Sequence, residues 1–291
     1  MKRFDGKAIA MTIRAYLKKR VLREKLSPKL VVFSVKPDEQ GSSFIATKQK
    51  ATIDLGGHFE LITYKRTPRF EDFARNIFRI THDIKTTAVV IQKPLPPALD
   101  TSTIYSYVPE NKEIEGHKAK TNFCPPIALA ALTPLKYHLL AGNKSQAEDL
   151  IFDMDKDMRE LKKIIKKRKI VVIGRGETGG RPITDFFTKH KINFIGVNST
   201  TPDPERFYQE ADIIITAVGK KILTPSVLKH GVILISIGLH RHKDFWQGDY
   251  DEVEIKDTAS FYTPTPGGVG PLDIAYLMYN LVQATRLQKN S

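Results

Sequence analysis

The residues with the clearest chemical meaning are the glycines of IVVIGRGETGG, because Gly174, Gly176 and Gly179 have the spacing G-x-G-x-x-G. Glycine permits a tight turn whose backbone N–H groups can meet a phosphate at a helix N-terminus. These glycines follow an apolar strand-like segment and open a helix-like one, which is the context that such a site requires. We therefore predict a nucleotide-binding turn, and a tight turn without a ligand is the alternative.

The next strand-like segment bears on which nucleotide is bound. In NAD-binding folds of this kind an Asp or Glu usually ends the second strand and holds the ribose hydroxyls. Here that segment ends in VNSTT (197–201), which has no acid, and Arg175 lies inside the glycine turn. A guanidinium and hydroxyls suit a 2′-phosphate, which a carboxylate would repel. The sequence favours NADP over NAD, and the alternative for Arg175 is a solvent-facing turn residue.

A second unusual segment is TPTPGGVGP (263–271), which combines prolines and glycines just before the last apolar run. Pro271 suits the first turn of a helix, where its missing N–H costs nothing, and Asp273 favours the positive helix end. The glycines let the backbone approach a ligand, while the prolines hold the path of the chain. We predict a rigid loop that leads into a final helix at 272–288.

The composition is that of a globular protein with anionic partners. The chain has 291 residues, of which 41% are hydrophobic, and its net charge is +14. That charge suggests nucleotides, acidic metabolites or nucleic acid, but no zinc finger or RNA-recognition motif supports the last. We interpret the basic runs at 18–25 and 159–169 as solvated helix faces. The single cysteine, Cys124, excludes an internal disulfide and a cysteine-built metal site.

Membrane and export signals are not expected from the sequence. No apolar run approaches the roughly 20 residues that span a bilayer, and the N-terminus has no apolar signal-peptide region. The pattern of the N-terminal segment instead predicts an amphipathic helix, with Ile9, Ile13 and Leu17 on one face. We therefore expect a cytoplasmic protein.

Strand-like and helix-like segments alternate, which predicts an α/β fold of parallel sheets with helices on their faces. The predicted strands are 29–36, 59–65, 86–96, 169–173, 192–198, 211–219 and 232–238. The other predicted helices are 42–57, capped by Ser43, then 70–82, 124–141 and a charged helix at about 145–168.

Short motifs are distributed over nearly the full chain. They are FDGKAIA (4–10), SSFIATKQKA (42–51), VVIQKPLP (89–96), VVIGRGETGGRP (171–182), GDYDEV (248–253) and TPTPGGVGP (263–271). In the same order, they resemble the motifs of the bifunctional methylenetetrahydrofolate dehydrogenase/methenyltetrahydrofolate cyclohydrolase family. The resemblance implies a homodimeric NADP enzyme of one-carbon metabolism and purine biosynthesis, without a metal.

The resemblance also implies a domain organisation. An α/β folate-binding domain would comprise 1–123 and 271–291, and a Rossmann-type NADP-binding domain would comprise 124–270. The charged helix at about 145–168 would be an insertion in the second domain. The C-terminal helix would pack back on the first domain, and the active-site cleft would lie between the domains, with the loop at 263–271 as one wall.

The implied chemistry has two steps. Hydride passes from the bridging methylene of 5,10-methylenetetrahydrofolate to the nicotinamide, and water then opens the methenyl ring to give 10-formyltetrahydrofolate. The resemblance places the catalytic lysine at Lys48 and its glutamine partner at Gln92. Lysine suits proton relay because burial and neighbouring groups can lower the pKa of an ammonium group, and glutamine both donates and accepts hydrogen bonds.

The resemblance further assigns ligand-binding positions. Those for the substrate are Phe44, Lys48, Gln92, Glu115, Pro266 and Gly267. Those for the cofactor are Gly174, Arg175, Gly176, Gly180, Ser199 and Leu239.

Several positions depart from the family pattern, mostly on the folate side. Phe44 replaces a tyrosine, so its ring can stack on the substrate but its hydroxyl is lost. Glu115 replaces the pterin-binding aspartate and is one methylene longer. It could still bind the pterin edge if the pocket has shifted by about an ångström, and misplacement on that scale can cost ~10²-fold in rate. Lys93 replaces an apolar residue, and Gly176 replaces a serine.

These departures leave three hypotheses open. The chain could be a working bifunctional enzyme with an altered pocket. It could instead have kept one activity or act on a modified folate. It could also be a non-enzymatic, basic binding protein, but a pure binding module would have no chemical need for Lys48, Gln92 and the glycine turn.

Overall fold

The computed structural model describes residues 1–118, 120–141, 146–242 and 245–289. The described helices are α1 (Gly6–Arg23), α2 (Glu39–Asp54), α3 (Phe70–Thr81), α4 (Pro126–Leu139), α5 (Ala147–Leu150), α6 (Lys156–Ile165), α7 (Gly180–Lys189), α8 (Glu205–Glu210) and α9 (Val269–Lys289). Short 3₁₀ segments lie at Ser102–Tyr107, Pro225–Val227 and Glu254–Asp257.

The described strands form parallel sheets and one antiparallel pair. They are β1 (Lys2–Arg3), β2 (Lys29–Val35), β3 (His58–Tyr64), β4 (Ala88–Ile91), β5 (Ile170–Ile173), β6 (Ile195–Val197), β7 (Ile213–Thr216), β8 (Val232–Ser236), β9 (His240–His242), β10 (Phe245–Gln247) and β11 (Ala259–Tyr262). Only β9 and β10 pair antiparallel within these residues. The predicted α/β fold with parallel sheets is confirmed.

The chain divides into two units, each with its own sheet. The six-stranded unit comprises 1–13 and 127–273, and the three-stranded unit comprises 14–126 and 274–291. The predicted division had placed 1–13 with the folate-binding domain. By their contacts these residues group with the six-stranded unit, because β1 pairs with β11 and the Phe4 ring packs 5.9 Å from that of Phe261, and the predicted domain boundaries stay a prediction.

The three-stranded unit has the strand order β3-β2-β4, all parallel. The central strand β2 has the sequence KLVVFSV and is buried along almost its whole length, as expected of a parallel strand covered on both faces. A buried cluster fills one side of this sheet, with Phe33, Phe73, Ile77, Leu99 and Val108 among its members. The sheet therefore places the carboxyl ends of β2 and β4 side by side.

The six-stranded unit has the order β1-β11-β8-β7-β5-β6, with every pair parallel. After β5 the chain forms β6, which lies on one side of β5. It then crosses back to form β7, which lies on the other side of β5. In open sheets of this type, ligands bind outside the carboxyl ends of the strands at such a switch point. The glycine turn follows β5 and therefore lies at this position.

Two predicted helices differ from the observed ones. Helix α2 begins at Glu39, and its cap is Asp38 rather than Ser43, because the Asp38 carboxylate accepts the N–H of Gly41 at 2.7 Å. The predicted charged helix at 145–168 is interrupted between α5 and α6, where Asp153 accepts the N–H groups of the residues that open α6. Residue 145 of that prediction lies outside the described residues.

The amphipathic character predicted for the first helix is confirmed, whereas α9 is enclosed on all sides, because no residue from 271 to 286 is exposed. Ile9, Ile13 and Leu17 of α1 are buried. The apolar positions of α9 are also buried, and they are Ile274, Leu277, Met278, Leu281 and Val282. Because α9 begins at Val269, Pro271 falls within its first turn. Among the residues that the structure describes, no helix is long and apolar enough to span a membrane.

Candidate active site

Lys48 lies on the buried face of α2. Gly41, Ile45, Lys48 and Thr52 recur at helical spacing on that face, and all are buried. Only 8% of the Lys48 surface is exposed, which is unusual for a lysine. Its neighbour Phe44, by contrast, is 40% exposed. The helix therefore turns the Lys48 ammonium, together with Ile45, toward the interior of the three-stranded unit and leaves the Phe44 ring partly at the surface.

Gln92 and Glu115 are brought together by β4. Gln92 follows the last residue of this strand, and its N–H donates to the Phe33 carbonyl of β2 at 2.9 Å. The segment that ends in Glu115 runs beside β4, because the N–H of Val89 donates to the Lys112 carbonyl at 3.0 Å. Asn280 of α9 holds the same segment, donating to the Ile114 carbonyl at 2.8 Å.

The three side chains meet at the Lys48 ammonium. Lys48 Nζ donates to Gln92 Oε1 at 3.0 Å and to Glu115 Oε1 at 3.0 Å. Gln92 Nε2 donates in turn to the Lys93 carbonyl at 2.7 Å, which sets the orientation of the amide. An ammonium held between an amide oxygen and a carboxylate can give a proton at a fixed point.

The charge state of Glu115 follows from its neighbours. Burial raises the pKa of this carboxyl, but the Lys48 ammonium and His117 outweigh burial and bring the pKa down to about 2. Glu115 is therefore a carboxylate at neutral pH, and its two oxygens face different partners. Oε1 accepts from Lys48, and Oε2 lies 3.6 Å from Nε2 of His117.

Glu113 builds the turn that carries these groups. Its carboxylate accepts the N–H of Glu115 at 2.8 Å and the N–H of Gly116 at 3.1 Å. Gly116 has a φ of 81°, a conformation that favours glycine. Burial raises the pKa of Glu113, against the opposing effect of His117. Replacement of Glu113 would therefore displace the backbone on which Glu115 and His117 stand.

Lys93, the unexpected basic residue of the QKPLP loop, lies near the same cluster. Its ammonium forms an ion pair with Asp100 and stands 5.9 Å above the centre of the Tyr105 ring. The Tyr105 ring also packs against the His117 imidazole, with ring centres 4.9 Å apart. The sequence predictions did not include Glu113 or His117, although both lie within two positions of Glu115 in KEIEGH.

The glycine turn of the six-stranded unit depends on two glycines in particular. Gly174 has a φ of 102°, and a Cβ at this position would lie 2.6 Å from the Ala217 carbonyl oxygen. A Cβ on Gly180 would collide with the Gly174 carbonyl. Gly176, in contrast, has no such neighbour within 4 Å. The predicted strand, turn and helix are present, with α7 beginning at Gly180.

The other predicted cofactor positions lie on exposed or half-buried loops. Arg175 and Ser199 are exposed, Leu239 is half-buried, and Asn198 accepts the N–H of Thr200 at 2.8 Å after β6. The predicted substrate positions Pro266 and Gly267 belong to the six-stranded unit, in the loop before α9. Direct ligand contacts by all these residues stay predictions.

Asp249 of the GDYDEV motif has a role that its sequence position did not reveal. Its buried carboxylate accepts the Thr216 hydroxyl at 2.7 Å and the N–H groups of Val218, Gly219 and Lys220 at 2.8 to 3.0 Å. Successive amides next to a residue of positive φ, here Gly219 at 72°, form a concavity that binds anions. In this protein the Asp249 carboxylate occupies the concavity. Its hydrogen bonds hold the loop after β7 in shape.

Comparison with known proteins agrees with both units. Residues 4–115 match the catalytic-domain model described as tetrahydrofolate dehydrogenase/cyclohydrolase, and residues 155–289 match the NAD(P)-binding-domain model of the same description. The bifunctional protein FolD of Geobacillus thermodenitrificans is 30% identical over 288 residues, which are 97% of this chain and 96% of that protein. The chain belongs to the tetrahydrofolate dehydrogenase/cyclohydrolase family. The resemblance read from the sequence motifs is thereby confirmed.

Solved structures of the family share the fold. A silkworm (Bombyx mori) 5,10-methylenetetrahydrofolate dehydrogenase is 25% identical with a TM-score of 0.78, and the match covers 100% of both chains. A bifunctional FolD from Campylobacter jejuni is 23% identical with a TM-score of 0.77 and covers 99% of each chain. The NAD(P)-binding match agrees with the glycine turn, where a side chain on Gly174 or Gly180 would collide with neighbouring backbone and so disturb the tight turn that such a fold needs.

Proposed function

We propose that this chain oxidises 5,10-methylenetetrahydrofolate with NADP and hydrolyses the 5,10-methenyl product to 10-formyltetrahydrofolate. The observation that carries the proposal is the Lys48 ammonium, held between Gln92 and Glu115 in the part of the chain that matches the family's catalytic domain. The FolD relative of Geobacillus thermodenitrificans is itself named bifunctional. The product would supply one-carbon units, including those for purine biosynthesis.

The cofactor would be held by the six-stranded unit. Gly174 and Gly180 allow the tight turn whose N–H groups would hold its pyrophosphate at the N-terminus of α7, and Arg175 and Ser199 would bind the 2′-phosphate of NADP. The absence of an acid at the end of β6 supports NADP over NAD. When bound, NADP accepts the hydride. We expect no metal, and no group of three or more acidic, His or Cys side chains in the described residues has a metal-binding arrangement.

Each predicted catalytic or substrate-binding residue of the three-stranded unit has a defined role in the proposed chemistry. Glu115, ionised at neutral pH, accepts hydrogen bonds from the amino-amide edge of the pterin. Gln92 orients the Lys48 ammonium through its amide oxygen. In the hydrolysis, water attacks the methenyl carbon and loses a proton, and Lys48 holds or moves that proton next to the reacting carbon. Phe44 offers an exposed ring for stacking on the substrate.

A second candidate function is an enzyme with only one of the two activities or with a modified folate as substrate. Phe44 and Glu115 favour it, because the family's phenolic hydroxyl is missing and the acidic side chain is longer. A third candidate, a basic binding protein without activity, lacks support from the buried Lys48 contacts, since binding alone does not require them.

One assay in two parts separates these functions. Purified protein is mixed with 5,10-methylenetetrahydrofolate and NADP⁺, and NADPH absorbance is followed; the decay of added methenyltetrahydrofolate is then measured separately. Both signals must exceed those of protein-free buffer. If NADP⁺ binds by calorimetry but no NADPH forms, the dehydrogenase assignment fails. Equal binding of NAD⁺ and NADP⁺ would refute the cofactor preference.

The family resemblance also leads us to propose a cytoplasmic homodimer. Light scattering on the purified chain, with and without NADP⁺, measures the oligomeric state directly. A monomer at all concentrations used in the assay would contradict the homodimer.

A further inference from the structure

His117 faces the one oxygen of Glu115 that Lys48 does not occupy. Its Nε2 lies 3.6 Å from Glu115 Oε2, while Glu115 Oε1 accepts from Lys48 at 3.0 Å. We propose that His117 is a positioning residue that holds this second oxygen, so that the longer acid presents a fixed edge to the pterin of the substrate. The proposal rests on the proposed function and adds a residue that determines how tightly the folate binds.

The extra methylene of Glu115 explains why a second anchor is useful. A glutamate has one more rotatable bond than an aspartate, so fixing its carboxylate costs more conformational entropy. One contact with Lys48 leaves the carboxylate free to turn about its own axis. A second contact, from His117 to the other oxygen, restrains that rotation before the substrate arrives.

His117 is itself well placed to act as an anchor. Its ring packs against that of Tyr105, and only 21% of its side chain is exposed. Its backbone follows Gly116, whose N–H donates to the buried Glu113 carboxylate. The turn and the aromatic contact thus fix the direction of the imidazole independently of Glu115.

The charged groups around His117 decide when the contact is strong. Burial lowers the pKa of His117, but Glu115 and Glu113 outweigh burial and raise it, while Lys93 acts against them. The raised pKa favours the imidazolium, which attracts the Glu115 carboxylate. The contact is therefore strongest below the pKa of His117 and weakens as the pH rises through it, when the ring loses its charge.

A two-by-two set of variants tests the positioning role. We expect His117→Gln to raise the KM for 5,10-methylenetetrahydrofolate about tenfold, a typical coupling for neighbouring charged groups, with the Kd for NADP unchanged. In the background of Glu115→Asp the same change should have an effect below about twofold, because the shorter carboxylate does not reach His117. An equal effect in both backgrounds would show that His117 only packs against Tyr105, and would overturn the proposal.

Two further measurements complete the test. The imidazole of His117, identified by the signal lost in His117→Gln, is titrated by NMR and should have a higher pKa in the natural chain than in Glu115→Gln; identical values would overturn the proposal. Exposed His58, at the start of β3, provides the matched control, since His58→Gln should alter neither KM nor its pH dependence. If the natural chain forms no NADPH, the proposed function fails. The NMR titration of His117 and the calorimetric binding of tetrahydrofolate to the variants still test the positioning role of His117.

Discussion

The two candidate sites of this protein are built in opposite ways. The glycine turn of the six-stranded unit lies within consecutive residues and works through the absence of side chains at Gly174 and Gly180. The Lys48 cluster of the three-stranded unit works through side chains, and its hydrogen bonds join residues separated by 44 and 67 positions. One site is a local backbone conformation, and the other exists only where distant segments meet.

This difference explains where the sequence departs from its family. A backbone site tolerates any side chain that points to solvent, so Gly176 can replace a serine without altering the path of the turn. The geometry of a site built from side chains changes whenever a methylene or a hydroxyl is gained or lost. The departures at Phe44 and Glu115 therefore alter this site directly. In this chain the acid also faces His117. Damage to the backbone of one site and to the side chains of the other would test this contrast.

The largest effect is expected for Lys48→Met. We predict that cyclohydrolase turnover falls by about 10²- to 10⁴-fold, the usual contribution of a positioned acid or base. The circular dichroism spectrum and NADP affinity should stay close to those of the natural chain, and the pKa of Glu115 should rise because the nearby positive charge is lost. Exposed Lys50 on the same helix is the control. Undiminished turnover in Lys48→Met would refute the catalytic assignment.

Asp249→Ala should have the next largest effect, on stability. It leaves the Thr216 hydroxyl and successive backbone N–H groups of the loop after β7 without their acceptor. We expect the free energy of unfolding to fall by about 3 to 5 kcal/mol, because several buried donors lose their acceptor and each unsatisfied donor costs about 1 to 3 kcal/mol. Chemical denaturation measures this, with Asp251→Ala as the control because Asp251 accepts only turn N–H groups. A loss below about 1 kcal/mol would show that the loop does not depend on Asp249.

Gly180→Ala should weaken NADP binding about ten- to a hundredfold. The new Cβ meets the Gly174 carbonyl, and relief of such overpacking costs about 1 to 3 kcal/mol. Gly176→Ala is the matched control, since its Cβ enters open space. Calorimetric titration with NADP compares the two variants. Equal loss of affinity in both would mean that the turn does not bind through its backbone conformation.

The smallest effect is expected for Phe44→Tyr, which restores the family's hydroxyl one turn before Lys48. We predict a gain of about two- to tenfold in the hydrolysis rate, because one additional hydrogen bond contributes about 0.5 to 1.5 kcal/mol. Stopped-flow decay of methenyltetrahydrofolate measures it, and Phe78→Tyr, an exposed position on α3, controls for added surface polarity. A lower rate in Phe44→Tyr would show that the pocket has adapted to the missing hydroxyl.

Much of the fold followed from periodicity and turn residues. The alternation of strands and helices, the buried stripes of α1 and α9, and the turn after β5 were all predicted because each depends on neighbouring residues. Errors arose where a local signal was ambiguous or a distant segment intervened. Ser43 resembles a cap as well as Asp38 does, and only the pairing of β1 with β11 shows that residues 1–13 contact the six-stranded unit.

The sequence by itself determined the α/β fold, the nucleotide turn and, through its motifs, the family. These depend on local chemistry and on the order of short segments, both of which can be read from residue types. Only the tertiary structure decided that Lys48 is buried, that Glu115 faces both Lys48 and His117, and that Asp249 fills a ring of amides. The physical reason is that burial and charge pairing depend on which distant segments pack together. The spacing of residues along the chain does not indicate which segments these are.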